Sequence, residues 1–351
     1  MAIKAAIIGT GFMGRVHLEA LRRLGFVDAI AISGLVDGEF EGILNEPAVD
    51  AVHICTPNAL HFPMAAAALR AGKHVLCEKP LATSSEDARK LIALAAQTRL
   101  RHATNYNLRY YPMVQQMRRM REDGDLGDIL IVQGTYSQDW LLYDTDWNWR
   151  VNAAEGGPSR ALADIGSHWC DMAEHITGQR ITSVCADLQT FHKTRRQLQD
   201  FIATPVHTED FGAILFQMGE RTRGAYTASQ VSAGRKNRLS IEIYGSKSSV
   251  AWDAERPDEL WMGHRNANNQ VLLKDPSLMK PTARSYADLP GGHSEGYDDT
   301  FKQIFRRFYQ ALSDPASAPE YPKFDDGLRQ LTILEAELAS HQRRGWVEVL
   351  P

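Results

Sequence analysis

Apolar residues along the first hundred positions fall into two alternating textures. Short, nearly continuous apolar runs at 4–9, 29–36, 51–56 and 74–77 read as strands buried on both faces, and 101–106 reads as another strand. Between them the spacing becomes helical. Met13, Val16, Ala20, Leu21 and Leu24 recur every three or four positions and stop at Gly25. A second helix is expected over about 59–71, ended by Gly72. A third runs to about 97 behind the capping box Thr83-Ser84-Ser85-Glu86. Strands separated by helices predict a doubly wound parallel sheet with right-handed crossovers.

From about residue 129 the texture changes. Segments 129–136, 181–191, 211–217, 222–231 and 239–244 contain period-two stretches, most joined by short turns such as Met218-Gly219-Glu220. One helix, 167–176, interrupts them, and two more, 294–312 and 325–343, are expected at the end. The reading is an α/β chain in two domains. Residues 1–124 form the parallel-sheet domain. Residues 125–351 form an α+β domain with a large, mostly antiparallel open sheet.

Composition narrows the class. The 351 residues are 44% hydrophobic and 23% charged, ordinary for a soluble globular protein. A net charge of −4 argues against a nucleic-acid partner, and no apolar run is long enough to span a membrane. The first strand begins so near the start that no secretory signal is expected. Cys55, Cys77, Cys170 and Cys185 lie far apart with no CxxC pair, the pattern of reduced thiols in a cytoplasmic protein.

Two motifs sit where such a sheet binds ligands, at the carboxyl ends of its strands. Gly9, Gly11 and Gly14, with Phe12 and Met13 between them, form GxGxxG after a strand and before a helix. Glycine there allows a tight turn and close backbone approach to a pyrophosphate, which the helix N-terminus then meets with amide donors. Asp37 follows Gly14 by 23 residues, near the offset at which an acid binds the adenine ribose. With Glu39 and Glu41 close by it would repel a 2′-phosphate, so NAD is favoured over NADP. Glu78-Lys79-Pro80 closes another apolar strand, and a lysine there can donate to a substrate hydroxyl and stabilise a developing alkoxide.

Further along, Asp164 and His168 in DIGSH are spaced i, i+4 and share a helix face if both are helical. Histidine is the usual proton carrier near neutral pH. His175, further on, reads as a packing residue, and no zinc spacing is present. Segment 139–150 holds three of the seven tryptophans. Flat aromatic faces among polar groups suit a sugar, so an aromatic such as Trp149, together with Arg150, is expected to line a pocket. In Gly291-Gly292-His293-Ser294-Glu295-Gly296-Tyr297, Ser294 or His293 could cap the following helix, and His293 could reach substrate.

At these residues the chain resembles the Gfo/Idh/MocA oxidoreductases. The resemblance rests on GTGFMG at 9–14, TPN at 56–58, EKP at 78–80, NYNLRYYP at 105–112, DIGSHWCD at 164–171 and GGHSEGY at 291–297. It implies a Rossmann domain followed by an α/β domain whose open sheet often mediates homodimers or homotetramers. It also implies NAD(P)-linked chemistry on sugars and cyclitols. By position, Lys79 would assist catalysis and bind the substrate hydroxyl, Asp164 would orient and polarise the site, and His168 would be the acid/base. Thr56, Pro57, Asn58, His61, Glu78 and Asn107 would join the glycines, Asp37 and Lys79 around the cofactor. The Lys79–Pro80 peptide is often cis in such relatives.

One departure stands out. Only eleven residues separate Asp37 from Val49, and relatives place a helix and a strand there, so roughly two dozen residues, one βα unit, are missing. The lost strand would be the sheet's edge, leaving the pyrophosphate and nicotinamide sites intact and the adenine side more open. The expected activity is hydride transfer between NAD and a sugar, anhydrosugar or cyclitol carbon. Two alternatives keep parts of this reading: glycoside cleavage through transient oxidation, and a non-catalytic regulator that senses a dinucleotide or sugar.

Overall fold

The computed structural model describes residues 3–34, 38–197, 203–314, 316 and 318–350. The chain divides into two compact units, each discontinuous in sequence. One comprises 1–107, 154–157 and 297–331, and the other 108–153, 158–296 and 332–351.

The first unit is built on five parallel strands, β1 (Ile3–Ile8), β2 (Val27–Ser33), β3 (Ala51–Ile54), β4 (His74–Cys77) and β5 (His102–Thr104), in the order β2-β1-β3-β4-β5. Ala5 to Ile8, Ala51, Val52 and Ile54 are fully buried, as continuous apolar strands in a covered sheet require. Its helices include α1 (Phe12–Leu24), α2 (Glu39–Asn45), α3 (His61–Arg70) and α4 (Ser85–Thr98). Gly25 ends α1 in the left-handed region at φ 74°. The α4 cap stands one residue beyond the expected box. Ser84, not Thr83, accepts from the Asp87 amide at 3.2 Å, so the acid at the third helical position is Asp87 rather than Glu86. No strand lies beyond β2 among the described residues, consistent with a missing βα unit, and α2 buries none of its side chains. Asp37 lies outside the described residues.

The second unit opens with α5 (Pro112–Glu122) and β6 (Ile129–Ser137). After the single turn α6 (Ala153–Gly156), which belongs to the first unit, come α7 (Ser167–Thr177) and β7 (Ile181–Gln189). A two-stranded hairpin follows, β8 (Thr194–Arg196) with β9 (Ala203–Pro205). Next are β10 (Phe211–Met218), β11 (Thr222–Ser229), β12 (Arg238–Gly245), β13 (Ser249–Asp253), β14 (Glu259–Gly263), β15 (Gln270–Leu273) and the short α8 (Pro281–Arg284). Helix α9 (Tyr297–Ser313) returns to the first unit, α10 (Phe324–Arg343) spans the division, and β16 (Val347–Glu348) closes the chain. Nine strands form one sheet, β15-β14-β13-β12-β6-β11-β10-β7-β16, antiparallel except where β6 meets β11. Strand β10 shows the period of two: Gly212, Ile214, Phe216 and Met218 are buried, while Leu215 is 53% exposed on the other face.

The buried face packs on α7 and α10. Trp169 stacks on Tyr226 at 4.6 Å and donates to the Ser240 carbonyl, and the Tyr226 hydroxyl donates to Glu337 at 2.6 Å. Burial, with neighbouring Glu209, raises the Glu337 carboxyl from 4.5 to about 8. The fold therefore keeps a proton that the unfolded chain releases, and stability falls as pH rises from the ordinary carboxyl range towards 8. Glu337→Gln removes that dependence. Its unfolding free energy relative to the parent should be higher at pH 8 than at pH 5, by up to roughly 3 kcal/mol at about 1.4 kcal/mol per pKa unit, read from denaturant unfolding at the two pH values. Equal gains at both pH values would show that Glu337 is ionised throughout.

Candidate active site

The dinucleotide half lies in the first unit. Gly9 has φ 109°, and a Cβ there would meet the Cys55 carbonyl oxygen at 2.5 Å. A Cβ on Gly14 would lie 1.8 Å from the Gly9 carbonyl oxygen, so α1 packs directly on the turn. A Cβ on Gly11 would meet nothing within 4 Å. Gly11 caps α1 with no side-chain hydrogen bond, no acid stands in the first turn, and Phe12 is 66% exposed while Met13 is half-buried. The helix start thus offers amides and a positive dipole end beside open space, as a pyrophosphate requires. Thr56 adds a buried hydroxyl with no hydrogen-bond partner among the described residues.

The other expected cofactor contacts are spent partly on structure. Asn58, next to Pro57, donates to the Gly156 carbonyl at 2.8 Å, and Asn107 donates to the Thr300 hydroxyl at 2.7 Å. His61 is buried, its ring nitrogens 2.6 Å from the Pro80 carbonyl and 2.9 Å from the Thr56 carbonyl. Burial outweighs these carbonyls and lowers its pKa. His61 therefore ties the TPN turn to the cis Lys79–Pro80 turn. Glu78 is buried as well. Its Oε1 accepts from His17 at 2.9 Å and Asn105 at 2.5 Å, and its Oε2 from the Lys79 backbone amide at 3.3 Å. Lys79 itself is half-buried at the end of β4.

The remaining expected site residues lie in the other unit. Glu209 organises the approach to α7. One carboxylate oxygen accepts from the Ser159 hydroxyl and the Arg160 and Leu162 amides at 2.7–3.0 Å. Residues Leu162–Gly166 form a π-helical turn, with the Ser167 amide bonded to the Leu162 carbonyl five residues back. Asp164 lies in this turn and buried His168 in the first turn of α7. Both are helical, joined by a widened turn. Asp164 accepts from Arg150 Nε at 3.1 Å and Gln230 Nε2 at 2.9 Å, one on each oxygen. The Arg150 guanidinium also lies 4.3 Å from the Trp149 ring centre.

The three tryptophans of the loop divide their work. Trp140 and Trp147 pack against Leu141, Val151 and Val206, whereas Trp149 carries Arg150. The loop is held from β8. Arg195, fully buried, donates to the Leu141, Tyr143 and Asp146 carbonyls, and Asp210 binds both Arg195 and Arg160. Gln230 and Arg195 were not anticipated, because Gln230 reaches Asp164 across 66 residues and Arg195 reaches Leu141 across 54, and neither belongs to a periodic pattern. His175 is a packing residue: its Nε2 meets Gln115 at 3.1 Å, and burial with neighbouring arginines lowers its pKa well below the usual value. The segment after β15 also differs from expectation. Helix α9 begins at Tyr297, so neither His293 nor Ser294 holds the capping position. Both are exposed, while the segment is anchored by buried Glu295, paired with Lys274 at 2.8 Å. Lys274 also binds the His293 carbonyl at 2.6 Å.

A five-stranded parallel sheet with a glycine-rich first turn is the architecture of a dinucleotide-binding domain, and the second unit adds a nine-stranded sheet and the helical segment bearing Asp164 and His168. Residues 3–106 match the model of an oxidoreductase family with an NAD-binding Rossmann fold, and residues 114–251 match the GFO/IDH/MocA C-terminal domain. Levoglucosan dehydrogenase of Pseudarthrobacter phenanthrenivorans is 28% identical over an alignment covering 99% of this chain and 98% of the relative. The Bacillus subtilis oxidoreductase YfiI is 30% identical, with 86% of this chain and 78% of the relative aligned. A solved structure of levoglucosan dehydrogenase in complex with NADH and L-sorbose superposes with a TM-score of 0.92 at 27% identity, covering all of both chains. The chain belongs to the Gfo/Idh/MocA oxidoreductase family and carries its NAD-binding Rossmann domain.

Proposed function

We propose that the protein is an NAD-dependent dehydrogenase acting on a CH–OH carbon of a sugar, anhydrosugar or cyclitol. The observation that carries this reading is Asp164, held on both oxygens by Arg150 and Gln230 four residues before His168, in a chain with an NAD-binding unit. Bound NAD supplies a hydride acceptor. His168 takes the hydroxyl proton, Lys79 donates to the oxygen and stabilises its developing charge, and Asp164 supports the histidine or binds a second hydroxyl. Trp149 and Arg150 present an aromatic face and a polar rim, the chemistry of a sugar site. The acids Asp37, Glu39 and Glu41 support NAD over NADP. Free thiols fit the reducing cytoplasm. No described helix is long and apolar enough to cross a membrane. The exposed Ile131 and Leu215 on the open sheet face support association of two or four copies through that sheet.

The test is NADH formation with levoglucosan and a panel of aldoses and cyclitols, alongside calorimetric titration with NAD and NADP. Turnover with NAD supports the reading. Absence of NAD binding would overturn it, and glycoside cleavage without NADH accumulating would replace it with transient oxidation.

A further inference from the structure

Beneath the nucleotide-binding turn the first unit buries a connected set of polar side chains that the reaction above does not use. His17 of α1 and His53 of β3 are fully buried, with their Nδ1 atoms 2.8 Å apart. His53 Nε2 lies 2.7 Å from the hydroxyl of buried Tyr309 on α9. His17 Nε2 lies 2.9 Å from Glu78 Oε1. Phe301 and Phe305 pack edge-on or tilted against His17 and exclude water from the set. Three elements, α1, β3 and α9, thus meet in one set that ends on the Glu78 carboxylate, and that carboxylate holds the backbone amide of Lys79.

The proton positions follow from the donors available. Ionised Glu78 only accepts, so His17 Nε2 carries a proton. The two Nδ1 atoms share one more, and the Cys55 thiol, its sulfur 3.2 Å from His17 Nδ1, is a further donor to that nitrogen. On His17 the shared proton makes an imidazolium partner for Glu78; on His53 it makes a run of donors from the Tyr309 hydroxyl through both rings to the carboxylate. Either arrangement leaves His53 neutral, in line with the downward shift that burial and His17 impose on it. Both arrangements aim an N–H at Glu78.

We propose that His17, backed by His53 and Tyr309, is a positioning residue for Lys79, acting through the Glu78 carboxylate. The inference rests on the role of Lys79 given above. Five ionisable groups sense Glu78: His17 from α1, Cys55 from the end of β3, Cys77 from β4, Lys79 beside it, and His61 from α3. Burial acts to raise Glu78, but the His17 bond and charge, with Lys79 and Asn105, outweigh it and hold the carboxyl at about 2. Glu78 therefore stays ionised, with its second oxygen fixed on the Lys79 amide, throughout the working range of a dehydrogenase. Removing His17 leaves a buried carboxylate without its main partner, and burial then drives proton uptake. A protonated Glu78 loses half its accepting capacity and releases the turn that carries Lys79.

The test compares the parent, Lys79→Met, His17→Leu and His17→Gln as full-length NAD complexes, with the sugar on which the parent shows the fastest NADH formation. His17→Leu should lower kcat about 10- to 100-fold, as small displacements of a positioned group do. Its NAD affinity should stay within about twofold. Its kcat–pH profile should gain an acid-side loss between about pH 5 and 7 that the parent lacks, as Glu78 titrates. His17→Gln, which keeps a donor to Glu78, should recover most of kcat and the parent profile. A merely structural histidine would change stability without creating that limb and would not be rescued by glutamine. If Lys79→Met is inactive while His17→Leu matches the parent in kcat and profile, the inference is overturned and the role of Lys79 stands. If Lys79→Met is as active as the parent, or the parent oxidises no sugar, the proposed function has failed and the inference falls with it.

Discussion

Lys79→Met is expected to lower kcat by about 10²- to 10⁴-fold, the range lost with a group that stabilises or moves charge at the reacting centre. NAD affinity should remain within about threefold. The turn that carries Lys79 is fixed from both sides by its own backbone. The Lys79 amide donates to Glu78, and the Pro80 carbonyl sits 2.6 Å from His61. Methionine matches the unbranched lysine stem and alters neither bond, so the variant removes the ammonium and little else. Steady-state NADH formation gives kcat, and calorimetry gives the affinity. Turnover within a few-fold of the parent would remove Lys79 from the reaction.

Gly14→Ala should disable the cofactor half by a different route. The added Cβ would lie 1.8 Å from the Gly9 carbonyl oxygen and 2.9 Å from its carbonyl carbon. Both are backbone atoms of the turn itself, so the clash cannot be relieved by a side-chain rotation, and α1 must move away from the strand. Roughly 2–3 kcal/mol of NAD affinity, about 30- to 160-fold, should be lost with a lower melting temperature. Gly11→Ala is the control: its Cβ meets nothing in the protein, so the melting temperature holds while any loss of affinity reports the ligand alone. Parent-like melting and NAD affinity in Gly14→Ala would show that the turn is looser than this packing requires.

The parts of the fold that were legible carry periodic signals. Strands β1 to β4 are mostly apolar runs, and β6, β7, β10, β11 and β12 contain period-two stretches against a core. Strands β13, β14 and β15 were missed. They are four or five residues long, too short for an alternation to repeat more than once or twice, and occupy one edge of the sheet. The misplaced α4 cap shows a different limit. Thr83, Ser84 and Ser85 are all capping residues, and only the backbone geometry selects among them.

The site divides the same way. Glycines 9 and 14 are readable because only glycine fits the positive φ at the first and the close approach of backbone at the second, whereas Gly11 is read from the motif's spacing alone. The helical placement of Asp164 and His168 is readable from their i, i+4 spacing. Which tryptophan stays with Arg150 was not, since Trp140, Trp147 and Trp149 are chemically equivalent until Leu141, Val151 and Val206 claim two of them. Glu78 was expected to meet the cofactor. In the fold, its two oxygens accept from His17, Asn105 and the Lys79 amide, contacts as distant as sixty-one residues in sequence.

The π-helical turn at Leu162–Gly166 stores information in chain length rather than in residue identity. Its Ser167-to-Leu162 bond accommodates one residue more than an α-helical turn. That extra residue sets the angular offset of Asp164 relative to everything on α7, His168 included. Within this family's fold the geometry of the acid pair is thus open to change by a one-residue indel that leaves Asp164, His168, Arg150 and Gln230 all in place. Such a change would be invisible to any survey that scores substitutions position by position.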